Sequence, residues 1–386
     1  MTLAYPATLA KRKSTSYLQR LDWVLVGSAL SLSIIGALLV YSATKSKQID
    51  AGLDPQSYLK KHILNLVIGL VLGVVVSRFD YRLLRAYTPI LYGAAVLGLV
   101  LVLVPHVGHT INGAHAWFLL PGGFSFQPSE VAKIAIILGM SMILSEKRDA
   151  ESEPRDIDVL YALGVAALPI ALIMLEPDLG TVLVIACAVL AIVAVSGAPI
   201  RWLVGLVSAG VLVSFVVFRF GILSQYQVDR FTAFTDPTSN THGIGFNTQQ
   251  ARIAIGSGGI FGQGLFHGAQ TQGHFVPENQ TDFVYSVAGE ELGFVGSVLI
   301  VILLAVILWR AIYIAVRASD LFGRLVATGV ATWMAFQAFE NIGMNLGITP
   351  VTGVPLPFVS YGGSSMFANW IAIGLLINVH MRAKEG

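Results

Sequence analysis

The sequence has few charged residues, one cysteine and no internal repeat. Charged side chains make up 12% of its 386 residues, about half the share that is usual in a soluble domain. Hydrophobic residues make up 55%, and the mean hydropathy is +0.73. Cys187 lies in an apolar segment, so disulfides within the chain and thiolate metal sites are excluded. A net charge of +2 gives no reason to expect a nucleic acid partner. This composition predicts a polytopic membrane protein.

Two further kinds of site have no supporting motif. The segment 256–273 is rich in glycine, but its spacing is not GxGxxG and no predicted strand precedes it, which argues against a nucleotide site. His115, His267 and His274 do not have the spacing of metal ligands. The glycine-rich segment is therefore interpreted as a compact loop that lies on the surface or re-enters the membrane.

Ten apolar windows are long enough to cross about 30 Å of hydrocarbon. They lie near 22–43, 62–77, 87–105, 129–145, 157–175, 179–197, 202–218, 283–309, 325–346 and 365–381. The sequence therefore predicts an all-α polytopic membrane protein with about ten transmembrane helices. We expect one domain over 1–386, with helices one to seven in 22–218, a polar loop at 219–281 and helices eight to ten in 282–386.

The placement of lysine and arginine predicts the direction of the helices. With the N-terminus inside, cytoplasmic segments contain 16 basic residues and outer segments contain 7. Because basic residues are enriched on the cytoplasmic side, both termini are expected there. The large loop between helices seven and eight is then extracytoplasmic. The first apolar run is longer than that of a signal peptide, which indicates a retained first helix.

Polar residues concentrate in the outer half of three helices that are distant in sequence. They are Glu130 and Lys133 on helix four, Asp282 and Glu290 on helix eight, and Glu340, Asn341 and Asn345 on helix nine. Asp282 is the next-to-last residue of the string GHFVPENQTDF (273–283), at the boundary between the polar loop and an apolar helix. Ionisable groups at membrane depth are costly and mark functional sites. The predicted site therefore opens outward.

Each of these residues also has a structural interpretation. The alternatives are a helix N-cap for Thr281 or Asp282, an ion pair for Lys133 with Glu130, a buried and bonded carboxylate for Glu290, interhelical hydrogen bonding for Glu340 with Asn341, and an interfacial belt position for Trp117. The belt position is the more common role of such a tryptophan, and the alternative is a platform for a sugar ring.

Three long strings resemble the SEDS family (shape, elongation, division and sporulation), the membrane glycosyltransferases RodA and FtsW. They are NGAHAWFLLPGGFSFQPSEVAK (112–133), the stretch from ARIAIGSGG to EELGFVGS (251–297) and NIGMNLGITPVTGVPLPFVSYGGSS (341–365). HGAQTQ and GMNLG are more similar to the RodA branch. One difference is His115-Ala116 before Trp117, where the family usually has a basic residue next to the tryptophan. This weakens the case for a cationic phosphate contact there.

The resemblance implies a peptidoglycan glycosyltransferase that polymerises lipid II, an undecaprenyl diphosphate-linked disaccharide, with inversion, for cell elongation and shape. It implies that Asp282 is the general base and that Lys133, with Glu130, binds the diphosphate. Trp117, Glu290, Glu340, Asn345 and Ser360 are further expected substrate-binding residues. The expected cofactor is a divalent cation, Mg²⁺ or Mn²⁺, and no organic cofactor is expected. The expected partner is a class B penicillin-binding protein, a transpeptidase. This chain itself is expected in the bacterial cytoplasmic membrane, surrounded by membrane lipids, with its active site facing outward.

Two other functions fit the same helical layout. A lipid II flippase would need a polar path open to both faces, and the cytoplasmic half of the predicted helices has no polar cluster like the outer one. A non-catalytic scaffold for a transpeptidase would leave the outer carboxylates without a role. The distribution of polar residues therefore favours the polymerase over the flippase and the scaffold.

Overall fold

The computed structural model describes residues 17–111, 114–146, 154–221, 225–235 and 244–383, which are mostly helical. The helices are α1 (Tyr17–Arg20), α2 (Trp23–Asp50), α3 (Ser57–Arg78), α4 (Tyr81–Val102), α5 (Pro128–Leu144), α6 (Asp156–Leu175), α7 (Leu179–Val195), α8 (Ile200–Arg219), α9 (Gln225–Thr235), α10 (Ile244–Ser257), α11 (Ala269–Gln272), α12 (Val284–Glu291), α13 (Gly293–Arg317), α14 (Leu321–Leu346) and α15 (Gly363–Ala383). The prediction of a helical membrane protein is confirmed.

Each of the ten predicted windows overlaps a long helix. In the described residues, seven helices are long and apolar enough to cross a membrane: Trp23–Asp50, Ser57–Arg78, Leu83–Val102, Asp156–Leu175, Ile200–Val217, Gly293–Arg317 and Gly363–Ala383. Helices α5 and α7 have 17 residues each, and α14 carries polar residues on a buried face. The number of ten crossings therefore remains a prediction.

The centre of the molecule is formed by α5, α14 and α15, whose side chains are mostly buried. Helix α15 lies very close to α3, because glycines face each other. A Cβ added to Gly73 would lie 2.7 Å from the carbonyl oxygen of Trp370, and one added to Gly374 would lie 2.4 Å from that of Gly73. Such close approach is typical of helix packing in membranes. It places the start of α15 firmly against the rest of the bundle.

A small antiparallel sheet was not predicted. It consists of β1 (His109–Ile111), β2 (Ala114–Leu120) and β3 (Phe124–Phe126), in the order β1-β2-β3. These residues lie between the windows 87–105 and 129–145, where an all-α protein would have only a loop. Gly122 and Gly123 have positive φ angles of 82° and 73° between β2 and β3, a conformation that suits a hairpin turn. The sheet lies just before α5 and presents Trp117 on its central strand.

The predicted eighth helix is interrupted, which the sequence analysis missed. It divides into α12 and α13 at Gly293, whose φ is +68°. The carbonyl groups of Glu290 and Glu291 accept hydrogen bonds from the backbone N–H groups of Gln263 and Gly264, at 2.9 and 3.0 Å. In the other direction, Phe294 and Val295 donate to the carbonyls of Gly259 and Ile260, at 2.9 and 3.0 Å.

The glycine-rich loop therefore satisfies the backbone groups that the interruption leaves unpaired, as membrane interiors require. The segment between α8 and α12 also contains α9, α10 and α11. It is thus a partly helical layer whose glycine-rich part is bonded directly to the membrane helix that follows. Its extracytoplasmic position remains a prediction.

Candidate functional site

Asp282 lies in the turn immediately before α12, and its side chain does not cap that helix. The N-cap residue is Phe283, which makes no side-chain capping bond. Instead, the backbone N–H of Ser286 donates to Oδ1 of Asn345 at 3.1 Å. The N-cap interpretation of Asp282 is therefore wrong, because a residue of α14 provides that hydrogen bond. Asp282 as a whole is half-buried, and its carboxylate is left for another role.

The backbone of Asp282 is held from three directions. Its carbonyl oxygen accepts hydrogen bonds from the Nδ2 groups of Asn341 and Asn345, at 2.9 and 3.0 Å. Its N–H donates to the carbonyl of Glu278 at 3.1 Å. The preceding carbonyl, of Thr281, accepts from Oγ of Ser360 at 2.5 Å. These bonds fix the position of the Asp282 backbone, and therefore the point from which its side chain extends.

The surroundings of the Asp282 carboxyl favour its neutral form. Burial is the largest cause, and the negative charge of Glu278 adds to it, so that the pKa of Asp282 is raised to about 7. Arg230 and the hydroxyl of Thr281 oppose this increase, and Asp178 adds to it. A carboxyl group with a pKa near neutrality can both accept and release a proton under physiological conditions.

Arg230 and Gly353 are two neighbours of Asp282 that the sequence analysis missed. Arg230 donates from Nη1 to the carbonyl of Thr352 at 2.8 Å. A Cβ added to Gly353 would lie 3.4 Å from Oδ2 of Asp282 and 3.5 Å from Nη2 of Arg230, and the φ of Gly353 is +78°. The glycine therefore lies between the carboxylate and the guanidinium, where a side chain would be strained and crowded. Nothing in the local sequence indicates this proximity.

Lys133 and Glu130 form a buried pair, each only 2% exposed. The Nζ of Lys133 lies 2.9 Å from Oε1 of Glu130 and 3.1 Å from Oε1 of Gln337, and 4.7 Å from the centre of the Trp333 ring. The sequence analysis predicted the pair but missed Gln337 and Trp333. Both could have been recognised from their spacing, because Trp333, Gln337, Asn341 and Asn345 follow one another at intervals of four.

This face of α14 connects Lys133 to Asp282. Gln337 donates from Nε2 to the carbonyl of Pro355, and Asn341 donates to that of Val354, both at 2.8 Å. Gln337 contacts Lys133, whereas Asn341 and Asn345 contact Asp282. Four to eight residues of helix span about 6 to 12 Å. Lys133 therefore contacts α14 about one to two turns before the residues of α14 that contact Asp282.

Glu290 is fully buried and makes three hydrogen bonds within the protein. Its carboxylate accepts from the backbone N–H groups of Gln270 and Thr271, at 2.7 and 2.9 Å, and from Oγ1 of Thr271 at 2.6 Å. The adjacent Glu291 accepts from Oγ of Ser42 at 2.7 Å. These contacts attach α11 and the C-terminal part of α2 to α12. The substrate-binding role of Glu290 remains a prediction, but its carboxylate already has a structural one.

The other predicted substrate-binding residues occupy different positions. Asn345 and Ser360 are buried and bonded to the backbone around Asp282, as described above. Glu340 is 3% exposed on α14, and its Oε2 has no hydrogen-bond partner in the described part of the chain. Trp117 is half-buried on β2, opposite His109 of β1. Their contact with substrate remains a prediction.

The acidic turn between α6 and α7 contributes to the electrostatics of the site. Asp178 caps α7, accepting from the N–H of Thr181 at 3.0 Å, and it also accepts from Nε2 of Gln127 at 3.0 Å. Glu176 is fully buried; burial, assisted by the charge of Asp178, raises its pKa to about 8. No group of three or more His, Cys, Asp or Glu side chains among the described residues is arranged to hold a metal ion.

The sequence and fold match one protein family throughout. The family model of the FtsW, RodA and SpoVE proteins, described as "Cell cycle protein", matches residues 22–385. A probable peptidoglycan glycosyltransferase FtsW of Trichlorobacter lovleyi is 36% identical over 93% of this chain and 92% of its own length. The peptidoglycan glycosyltransferase MrdB of Escherichia coli is 35% identical over 94% of both chains.

A solved structure gives the same result at the level of the fold. It shows a peptidoglycan synthase complex that coordinates polymerization and crosslinking, and one of its chains is 34% identical, with a TM-score of 0.77. The alignment covers 95% of this chain and 99% of that one. The alignment therefore includes nearly all of the described fold. This chain therefore belongs to the SEDS family of FtsW, RodA and SpoVE, and it is a membrane-embedded glycosyltransferase.

Proposed function

We propose that this protein polymerises lipid II into glycan strands at the outer face of the cytoplasmic membrane. The 4-hydroxyl oxygen of the acceptor sugar attacks the anomeric carbon of the donor, and Asp282 accepts the hydroxyl proton. The bond between the anomeric carbon and the diphosphate oxygen breaks, and undecaprenyl diphosphate leaves with the bonding electrons. A single displacement of this kind inverts the anomeric configuration.

The observation that carries the proposal is the state of Asp282. Its backbone is held by Asn341, Asn345 and Glu278, its carboxylate is free of the helix-capping role, and its pKa is raised to about 7. A general base is most effective when its pKa lies near the working pH, and it contributes about 10²- to 10⁴-fold to a rate. The fixed backbone and the raised pKa of Asp282 both support this role.

The leaving diphosphate needs positive charge, and two residues supply it. Arg230 lies beside Asp282, so a diphosphate next to the carboxylate would contact its guanidinium. Lys133 is bonded to Glu130 and Gln337. We assign the first contact with the diphosphate to Arg230. The proposed contact with Lys133 then requires the head group to replace Gln337 as its partner.

The remaining expected residues divide into two groups in this proposal. Asn345 and Ser360 act on the reaction by positioning the turn that carries Asp282. Glu290 acts by attaching α11 to α12. Trp117, on the hairpin, and Glu340, on α14, are the candidates for direct contact with sugar. The aromatic face of Trp117 suits a sugar ring, and the carboxylate of Glu340 suits a hydroxyl group.

A divalent cation is proposed only as a companion of the substrate. The described residues offer no group of three ligands, so they do not fit a resident metal centre. Mg²⁺ commonly binds through substrate phosphates and one or two carboxylates, and Mn²⁺ could replace it in that role. We expect polymerisation to fall when EDTA is added and to recover with Mg²⁺ or Mn²⁺. Full activity in EDTA would contradict this expectation. No organic cofactor is proposed.

The proposed partner is a class B penicillin-binding protein, which would crosslink the strands made here. This proposal is supported by the similarity to a chain of a synthase complex that coordinates polymerization and crosslinking. A role in elongation and cell shape is proposed from the RodA-like strings HGAQTQ and GMNLG. Complementation of a strain depleted of its own elongation polymerase would test it, and rescue of division alone would contradict it.

The flippase alternative is disfavoured by the residues below Lys133. The polar face of α14 ends at Gln337, which contacts Lys133 of α5, and the small cavity on the cytoplasmic side of this contact is lined mostly by apolar side chains. Apart from Lys133 and Trp333, its lining residues are Ile136, Ile137, Val184, Ile185, Ala188, Val189 and Ile192. A transported diphosphate would have to pass these residues without a polar partner, at high cost.

The deciding experiment is a glycan-strand gel with purified protein and fluorescent lipid II. We expect strands from the wild-type chain and none from Asp282→Asn. A flippase assay in vesicles that contain labelled lipid II is the counterpart. Two results together would favour the flippase over the polymerase. They are lipid II transport by Asp282→Asn at the wild-type rate, and no glycan strands from the wild-type chain with its partner.

A further inference from the structure

A second polar pocket lies beside the Asp282 turn, and the mechanism above does not use it. It has a volume of about 500 Å³ and lies between the outer ends of α2 and α3, the β2–β3 hairpin and the segment before α15. The lining residues are Gln48, Leu53, Asp54, Ser57, Tyr58, Lys61, Gly123, Ser125 and Tyr361. This volume is in the range of small-molecule sites, so the identity of a ligand can be argued from the lining.

Two tyrosines form the aromatic wall of this pocket. The rings of Tyr58 and Tyr361 have centres 5.0 Å apart and planes inclined by 59°. Lys61 crosses the opposite side, with Nζ 3.3 Å from the carbonyl of Gly123 and 5.8 Å from the centre of the Phe124 ring. Aromatic faces with hydroxyl and amide groups around them offer both apolar contact and hydrogen bonds. Carbohydrates present the complementary surface.

The charge of the lining argues against a phosphate ligand. Lys61 is its one cation and Asp54 its one acid, so the lining is neutral overall. Asp54 is bonded to Lys60 at 2.7 Å, outside the pocket. Diphosphate sites in proteins concentrate arginine, lysine or a helix N-terminus. The pocket therefore fits a neutral polar ligand better than an anion.

Hydrogen-bonding groups continue behind the aromatic wall. His62 is fully buried, its ring stacks on Tyr361 with centres 6.2 Å apart, and neither ring nitrogen has a hydrogen-bond partner among the described residues. Asn65 is 3% exposed, and its Oδ1 has none there either. Buried polar groups are rarely left unsatisfied in native proteins. His62 and Asn65 lie on α3, one and two turns after Tyr58, behind the lining of the pocket rather than in it.

The pocket is joined directly to the turn that carries Asp282. The backbone N–H of Tyr361 donates to the carbonyl of Gln280 at 2.9 Å. The preceding residue, Ser360, donates to Thr281. Tyr361 therefore lies on the pocket while its backbone contacts the residues just before the proposed base. A ligand chain that occupies the pocket could continue to the carboxylate.

We propose that this pocket, bounded by Tyr58, Tyr361 and Lys61, is a saccharide subsite that holds sugar units of the glycan strand away from the reacting bond. The proposal rests on the proposed polymerase function for the identity of the strand, although saccharide binding itself does not depend on catalysis. A strand held here stays with the enzyme between successive additions. The pocket thereby favours long strands.

The test is the binding of a neutral soluble saccharide, the tetramer of N-acetylglucosamine, to the full chain in nanodiscs by isothermal titration calorimetry. We expect saturable binding to the wild type and unchanged affinity in Asp282→Asn. Loss of one aromatic contact in Tyr58→Leu or Tyr361→Leu should weaken binding about two- to tenfold. Tyr58→Phe keeps the ring and should retain most of the affinity. Tyr87→Leu, which changes a tyrosine 62% exposed on α4, is the matched control and should bind like the wild type.

Three results would overturn the subsite: no saturable binding to the wild type, equal affinity in the two leucine variants, or displacement of the tetramer by inorganic pyrophosphate. If a leucine variant is unfolded in a thermal unfolding measurement, the titrations of the wild type and of Tyr58→Phe still test saccharide binding. A strand gel gives the second readout, where shorter strands from Tyr361→Leu are expected. Failure of the polymerase proposal can be distinguished from failure of the subsite. In the first case the wild type makes no strands but still binds the saccharide.

Discussion

Replacing Asp282 by asparagine should stop polymerisation and leave the protein folded. Asparagine has nearly the same shape, and the two bonds from Asn341 and Asn345 go to the backbone carbonyl of residue 282, so they are retained. The proton acceptor is lost. Removal of a general base lowers rates about 10²- to 10⁴-fold, which corresponds to about 2.7 to 5.4 kcal/mol of barrier.

The same carboxyl predicts a pH profile. With a pKa of about 7, Asp282 is about half ionised at pH 7 and about one tenth ionised at pH 6. Polymerisation should therefore rise through neutrality, rather than level off above pH 5 as it would for an ordinary aspartate. Glu278→Gln removes a neighbouring negative charge and should move the midpoint to lower pH. Arg230→Met removes a positive charge and should move it to higher pH.

The effect on stability has the opposite sign from that of a salt-bridged aspartate. Because the pKa of Asp282 in the folded protein is raised above the ordinary value for an aspartate, the unfolded chain loses this proton first as the pH rises. Folding stability is therefore highest below pH 4 for this group, falls between pH 4 and 7, and is constant above. The Asp282→Asn variant has no proton to lose at this position and therefore does not lose stability between pH 4 and 7. The unfolding temperature of the variant at pH 8 should equal or exceed that of the wild type.

The assay combines both measurements on one set of proteins. Strands from fluorescent lipid II are measured on gels from pH 5.5 to 8.5, with thermal unfolding of each variant at each pH. Strand synthesis by Asp282→Asn at near the wild-type rate, at equal folded protein, would refute the assignment of the base. A wild-type midpoint near pH 4 would refute the electrostatic argument even if the variant is inactive.

Three further predictions concern the surrounding contacts. Lys133→Met should lower stability by about 3 to 5 kcal/mol, because Glu130 remains buried without its partner. The double change with Glu130→Gln should restore folding without turnover, and a double variant with normal turnover would make the pair structural. Glu290→Gln weakens the acceptor for Gln270 and Thr271, so a loss of about 1 to 3 kcal/mol is expected by thermal unfolding; an unchanged melting curve would contradict it. Addition of a class B penicillin-binding protein should markedly increase strand synthesis, and equal rates with and without it would count against that partner.

The helices were predictable from the sequence because apolar length alone determines where a chain can cross a membrane. Asp282 was identifiable for a related reason, since an acid at a water–lipid boundary is expensive. The neighbours of that acid were not predictable. Arg230 is distant in sequence, and the space between it and Asp282 depends on the positive φ of Gly353, which composition does not reveal.

The wrong structural assignments have the same origin. The N-cap interpretation of Asp282 relied on local sequence, whereas the hydrogen bond to the first turn of α12 comes from Asn345 on another helix. The hairpin around Trp117 was missed because its strands are short, and two successive glycines form its turn. The three donors to Glu290 are backbone and side-chain groups of α11 that no periodicity reveals, and its expected contact with substrate remains a prediction.

The interruption between α12 and α13 changes how the preceding loop tolerates variation. Loops usually accept insertions and deletions because water replaces any hydrogen bond that they lose. Here the backbone N–H groups of Gln263 and Gly264 donate to the carbonyl groups of Glu290 and Glu291. A shift of register by one residue would leave these carbonyls without a donor, and lipid cannot provide one. A scan of single-residue insertions should therefore find this stretch as intolerant as a transmembrane helix.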